Sequence, residues 1–376
     1  MKLLNLSGPP VGMPRVSGAC VGLALAGQLA AQGKPAVQPA DYGKWESPAA
    51  AALSPSGQWL AYGVNRVNEE NELRIRGLSR DTTIVVPYAT GVSFTPDSRW
   101  IAYAIGVSPA TRDRLEKEKK PIHNALGLRN LVSGKADTVS EVAGFRFSPD
   151  GRYLAMRRYP AEGKQVADVI IQDLAAGSRT TLGNVSDYSW ADKRPLLALT
   201  IETEGGAGNS IQLFDPSSGV IRVLESSPSL YRGMAWRPKS EDLAVFRTLT
   251  DKAFKDTTHV VLAWTGLGGT VSVAHLLDPT GPVIPAELRI SETRRPEWSK
   301  DGATLVIGLR PRQRAPSDTS RSRSSSEKLS DVQVWHSKDV RLMRQQEIQE
   351  QQDLQRTLAA AWHLSDGRVT RIGSDL

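Results

Sequence analysis

Glu69, Glu70 and Glu72, grouped around Asn71, are the densest set of potential ligand groups in the sequence. Clustered carboxylates can hold a cation or an amine, because ionised oxygens accept from any ammonium or metal that reaches them. A solvated hairpin tip explains the cluster as well, and that reading is preferred. The five histidines, at 123, 259, 275, 336 and 363, lack the short His/Glu spacings that put two metal ligands on one helix face, and they read as surface or strand residues. A serine hydrolase would need Gly-x-Ser-x-Gly at a strained turn between strand and helix. Gly208-Asn209-Ser210 is the nearest fragment, but Gln212 stands where the second glycine belongs and the context is a hairpin. Without a Gly-rich loop between strand and helix, nucleotide binding has no support. The residues themselves therefore point to no catalytic, cofactor-binding or metal-binding position, and Glu69, Glu70 and Glu72 remain as candidate substrate-facing groups.

The elements that would carry these residues are strands. Gly144-Phe145-Arg146-Phe147-Ser148-Pro149-Asp150-Gly151-Arg152-Tyr153-Leu154-Ala155-Met156 reads as strand, turn, strand, with Pro setting φ at the first turn position and Gly relieving the exit. The pattern returns around Ser54-Pro55-Ser56-Gly57 and Thr95-Pro96-Asp97-Ser98. Weaker copies lie at Trp190-Ala191-Asp192-Lys193, Trp236-Arg237-Pro238-Lys239 and Trp298-Ser299-Lys300-Asp301-Gly302. Successive copies are 41, 53, 43, 46 and 62 residues apart. Each is followed by a second alternating strand pair, clearest from Val169 to Leu182, so each period holds two hairpins.

A period just above forty residues with four strands per unit predicts an all-β fold, a β-propeller of four-stranded blades. About six blades are present. A closed six-bladed ring and an incomplete seven- or eight-bladed ring both fit. Such sheets are apolar on both faces and must stack to bury them; Phe147, Trp190, Trp236 and Trp298 are expected to pack between blades. Two insertions interrupt the rhythm. Ala110 to Ala125 is charged and suits a short exposed helix or loop, and Arg341 to Thr357 has helical propensity with a ragged apolar face.

Residues 1–31 have the layout of a secretory signal peptide. Arg15 precedes the small and apolar run Val16 to Ala31, which ends in Leu29-Ala30-Ala31 before Gln32. Met13 is an alternative start. The run is shorter than the roughly 20 apolar residues of a membrane span, so no stable span is expected after cleavage, and the expected location is periplasmic or secreted. Cys20, the one cysteine, lies within that segment, leaving a mature chain without thiol chemistry. Residues 32–47 form a linker and lead-in, and the propeller runs over 48–376. The formal charge of +7 is partly local: residues 310–328 hold six Lys or Arg against Asp318 and Glu327. No aromatic residue interleaves there to stack on bases, so this basic insertion reads as disordered and nucleic-acid binding is not expected.

Asp41-Tyr42-Gly43-Lys44-Trp45-Glu46, leading into Leu53-Ser54-Pro55-Ser56-Gly57-Gln58-Trp59-Leu60-Ala61-Tyr62 and then Asn71-Glu72-Leu73-Arg74-Ile75-Arg76, resembles the amino-terminal propeller of secreted bacterial serine peptidases of the prolyl oligopeptidase family. Thr111-Arg112, and Val332-Gln333-Val334-Trp335-His336 with Lys338-Asp339, resemble later landmarks of that region, although Ser337 stands where the family often has an aromatic residue. The Ser-Pro-Asp-Gly repeats are also TolB-like. The resemblance implies a propeller that covers the active site of an α/β-hydrolase domain and admits short peptides. The sequence holds no counterpart of that domain or its triad, so the expected function is the non-catalytic propeller part. Peptides or a hydrolase domain would be its partners. The alternative is a free-standing periplasmic TolB-like propeller that acts as a protein-interaction scaffold.

Overall fold

The computed structural model describes residues 37–79, 81–315, 336, 338, 340–353 and 355–373. A short helix α1 (Pro39–Tyr42) precedes the first sheet, β1 (Glu46–Leu53), β2 (Trp59–Arg66), β3 (Glu72–Gly77) and β4 (Thr82–Pro87). The second sheet comprises β5 (Ala89–Phe94), β6 (Trp100–Ile105), β7 (Ala125–Asn130) and β8 (Ala136–Val139), with helix α2 (Pro109–Lys117) inserted after β6. Next come β9 (Val142–Phe147), β10 (Tyr153–Arg158), β11 (Ala167–Asp173), β12 (Arg179–Trp190), β13 (Leu197–Ile201), β14 (Ser210–Asp215) and β15 (Val220–Ser226), joined as one seven-stranded sheet. The fifth blade is β16 (Tyr231–Trp236), β17 (Leu243–Leu249), β18 (Thr258–Thr265) and β19 (Val273–Leu277). The sixth is β20 (Leu288–Ser291), β21 (Glu297–Trp298), β22 (Thr304–Pro311), β23 (Leu358–His363) and β24 (Val369–Arg371), with helix α3 (Met343–Asp353) between its last two long strands.

All strand pairings are antiparallel, and all but β20 with β22 join strands consecutive in sequence, as expected of propeller blades. The seven-stranded sheet is two blades sharing β12. Its first half pairs with β11 and its second with β13; the register breaks on both sides of Val185, and Asn184, within the break on the β11 side, takes a left-handed φ of 57°. In the sixth blade β20 and β21 pair with opposite ends of β22, so they are two pieces of one inner strand interrupted at residues 292–296.

The repeated turn motif has a common physical cause. In all six blades the residue that opens the turn donates its N–H to the carbonyl five residues on, from Ser54 to Trp59, Thr95 to Trp100, Ser148 to Tyr153, Ala191 to Leu196, Arg237 to Asp242 and Ser299 to Thr304, at 2.8–3.0 Å. Where an aspartate follows the hydroxyl by two residues, the hydroxyl of Thr95, Ser148 or Ser299 donates to it at 2.6 Å. That aspartate accepts the N–H of the residue two further on. Gly151 and Gly302 take the left-handed exit at φ 74° and 77°. Arg237 replaces the hydroxyl in the fifth blade by an ion pair with Asp242 at 2.6 Å.

Strand alternation sends successive side chains to opposite seams. On β10, Leu154 and Met156 pack toward the second blade, while Tyr153 and Ala155 pack toward the fourth. On β17, Leu243 and Val245 face the fourth blade, and Ala244 and Phe246 the sixth. The five hydrophobic cores among the described residues each lie between successive blades. Phe147, Trp190, Trp236 and Trp298 all join these seams, as expected. The tryptophans also form a ladder: Trp190 Nε1 donates to Arg146 O at 3.2 Å, Trp236 to Ser189 O at 3.0 Å and Trp298 to Ala235 O at 3.0 Å. Each bond therefore ties one inner strand to the inner strand before it.

β1 begins at Glu46, inside the lead-in segment, and its blade turns an outward face to solvent, with Leu53 59% and Val85 49% exposed. Helices α2 and α3 bury none of their side chains, as their polar sequences require. The signal-like residues 1–31 with Cys20 lie outside the described residues, as do most of the basic insertion and Val332 to Trp335, Ser337 and Asp339.

Candidate functional site

Glu69, Glu70 and Glu72 come together at the hairpin between β2 and β3. Asn71 shapes this corner: its side-chain oxygen accepts Arg66 N–H at 2.8 Å, and its carbonyl accepts Tyr88 N–H at 2.8 Å. The tip is tight enough to hold Glu69 at a left-handed φ of 61°. Around it lie Arg66 at the end of β2, Arg74 on β3, Glu46 at the start of β1, and Arg112 on α2.

Glu72 does not face solvent alone. Arg66 Nη2 lies 3.0 Å and Arg74 Nε 2.7 Å from its Oε1. The same two guanidiniums reach Glu46 Oε1 at 2.7 and 3.2 Å. The result is a closed square of two carboxylates and two guanidiniums, with Arg66 and Glu72 only 18% and 15% exposed. Hydrogen bonding from Arg66, reinforced by the charge of Arg74, holds both carboxyls below their usual range. Glu69 pairs with Arg112 and so connects the first blade to the second blade's inserted helix. Glu70 differs, since its carboxylate accepts the Tyr88 hydroxyl at 3.1 Å and has no guanidinium partner among the described residues. Of the three glutamates, Glu70 is thus the one whose charge remains available to an incoming amine. The aromatic pair Tyr42 and Trp45, centroids 5.0 Å apart and both about half exposed, flanks the hairpin through the bond from Asn68 N–H to Gly43 O.

The square makes a prediction with a definite sign. Depressed carboxyl pKa values contribute stability above the ordinary carboxylate value of 4.5, and that stability is lost as pH falls through the lower folded values. Arg66→Ala should lower the thermal midpoint at pH 7, with a difference from the parent that narrows below pH about 4. Thermal melts across pH read this; a difference that stays constant down to pH 3 would show that the square is not what Arg66 stabilises.

The other sequence candidates occupy structural positions. Asn209, 1% exposed, donates to Pro228 O and Ser229 O, and Ser210 Oγ sits between Gly208 O and Gln212 Nε2, so Gly208-Asn209-Ser210 is a hydrogen-bonded loop entering β14. His123 stacks on Tyr159 at 4.0 Å, His275 and His363 lie on β19 and β23, and His259 is buried on β18. Among the described residues no three His, Cys, Asp or Glu side chains are grouped to hold a metal ion. No described helix is long and apolar enough to cross a membrane.

Sequence reasoning missed Arg66, Arg74 and Glu46 as members of the site. The one signal available was the alternation on β3, which puts Glu72 and Arg74 on the face opposite buried Leu73 and Ile75.

No model of a protein family matches the sequence, and no curated protein does. Solved structures resemble it in fold. The β-propeller domain of the Trilobed protease from Pyrococcus furiosus, described as an open velcro topology, is 10% identical over 88% of this chain and 98% of that one, with a TM-score of 0.37. A prolyl endopeptidase is 14% identical over 87% of this chain, TM-score 0.43, and the match spans 42% of that enzyme's length. TolB from Acinetobacter baumannii is 16% identical over 72% of this chain and 63% of that one, TM-score 0.31. At these values the likeness is one of fold alone.

Proposed function

We propose that the chain is the non-catalytic propeller of a prolyl oligopeptidase-type serine peptidase, limiting access of large substrates to a hydrolase domain, and that it acts after export. The observation that carries this reading is the convergence of its family-like landmarks. Glu46 from the opening stretch and Glu72 and Arg74 from the third landmark are far apart in sequence, yet all three belong to one square with Arg66. The register of β1, β2 and β3 brings them together, with Glu46 directly opposite Arg66. Glu70 is the proposed substrate-facing carboxylate, placed to meet a peptide's amino group.

A fluorophosphonate probe and a peptidase assay on the purified chain are expected to give neither labelling nor turnover. Added to a separately expressed hydrolase domain of this peptidase type, the chain should suppress cleavage of a protein substrate such as casein while sparing a short peptide. Serine labelling with turnover by the chain alone would overturn the reading. Absence of any effect on the hydrolase would favour the TolB-like scaffold instead.

A further inference from the structure

Among the five histidines, His259 is the one set deep in a seam between blades. It is 2% exposed on β18, on the face shared with Val261 and Ala263, and its ring tilts against Phe246 of β17 at 5.4 Å. The seam at this level is polar. Ile290 of β20 turns its backbone away from β22 and toward the fifth blade, where its N–H donates to Thr258 Oγ1 at 3.1 Å and its carbonyl meets His259 Nδ1 at 3.0 Å. Arg289 Nη1 adds a bond to Thr257 O at 3.0 Å. Side chains of β18 thus satisfy the free edge of β20, the short strand that opens the interrupted inner strand of the sixth blade.

Chemistry fixes the tautomer. A carbonyl can only accept, so Nδ1 carries hydrogen and the neutral ring presents the lone pair of Nε2 to the Glu292 carboxylate, 3.6 Å away. A second proton would create an ion pair with Glu292. It would also place a full charge among Phe246, Val261 and Ile290, close to the cations Arg289 on β20 and Arg232 on β16, the latter paired with Glu202. Glu292 is 55% exposed and follows the end of β20, so solvent weakens its hold on the ring.

We propose that the seam between the fifth and sixth blades is an acid-responsive joint, in which protonation of His259 releases β20 and residues 292–296 from the edge of β18. This inference does not depend on the peptidase reading. Burial lowers the affinity of His259 for a proton despite its bond to Ile290 and the charge of Glu292. The sign follows: the unfolded chain binds a proton near pH 6.5 and the closed seam only at lower pH, so the seam is firmest above about pH 6.5 and weakens as pH falls.

Hydrogen exchange of the full chain at pH 7.5 and 5.0, corrected for intrinsic rates, tests the joint. Protection of peptides covering 257–261 and 288–292 should fall at least about tenfold at pH 5.0 relative to peptides covering the seam between the fourth and fifth blades. His259→Phe keeps a ring in the seam and should remove the pH dependence, whatever its effect on absolute protection. Glu292→Gln removes the counter-charge and should move the transition to lower pH. Titration of the His259 ring by NMR of the parent protein supplies a readout that needs no variant. An ordinary or raised midpoint, or unchanged protection at pH 5.0, would overturn the proposal.

Discussion

Trp236→Ala is expected to lower the unfolding free energy by about 3 kcal/mol, near the low end for removal of a large aromatic side chain because the indole is only partly buried. Two losses combine in that value. The ring packs on the core between the fourth and fifth blades, beside Met234 and Leu243, and its Nε1 donates to Ser189 O. Trp236→Phe keeps most of the ring and removes the donor, so it should cost about 1 kcal/mol and leave Ser189 O to water. Trp190→Phe should cost less, since its bond to Arg146 O is longer at 3.2 Å and open to solvent. Urea midpoints of the three variants decide the matter. If Phe at 236 costs as much as Ala, the hydrogen bond and not packing dominates the seam; if Trp190→Phe matches Trp236→Phe, solvent exposure of the rung does not matter.

This ladder marks the boundary of what could be read from the sequence. The turn motif was legible because its hydrogen bonds are local: Ser148, Asp150, Arg152 and Tyr153 satisfy one another within six residues, so the need for Ser, Asp and Gly is written in the turn itself. Even the degraded copies at Ala191 and Arg237 close the same backbone bond, which is why spacing alone located six blades. The aromatic positions were legible as packing residues, but their indole acceptors lie 44, 47 and 63 residues away and depend on how blades stack. The shared β12 and the split inner strand β20–β21 were also hidden. Nothing in the composition of Glu292-Thr293-Arg294-Arg295-Pro296 says that the strand resumes afterwards. At the candidate site the carboxylate cluster was visible, whereas its neutralisation was not, because Arg112 reaches Glu69 from an inserted helix 43 residues on.

Gly127→Ala is expected to be among the most damaging single-methyl additions in the chain. Gly127 on β7 lies directly opposite Tyr103 on β6, and the Tyr103 ring, 4% exposed, lies across it. A Cβ at 127 would fall 2.6 and 2.8 Å from Tyr103 Cζ and Cδ2, and nearer still to Cε2. The ring cannot retreat freely, since Tyr103 belongs to the core between the first two blades with Ala61, Leu73 and Ile75. Backbone strain is not the cause, for Gly127 is not among the left-handed glycines. Alanine would restrict the unfolded chain and so favour folding by about 0.4–1 kcal/mol. Overpacking of a close-packed seam costs about 1–3 kcal/mol or more, so the clash wins and a net loss of about 2 kcal/mol is expected. Pairing the change with Tyr103→Leu distinguishes clash from loss of strand flexibility. The two substitutions should be strongly non-additive, the double variant being more stable than Gly127→Ala and Tyr103→Leu sum to predict by at least about 1 kcal/mol. Additive denaturation midpoints would mean that the ring does not fill the space above Gly127, and the glycine would then need another explanation.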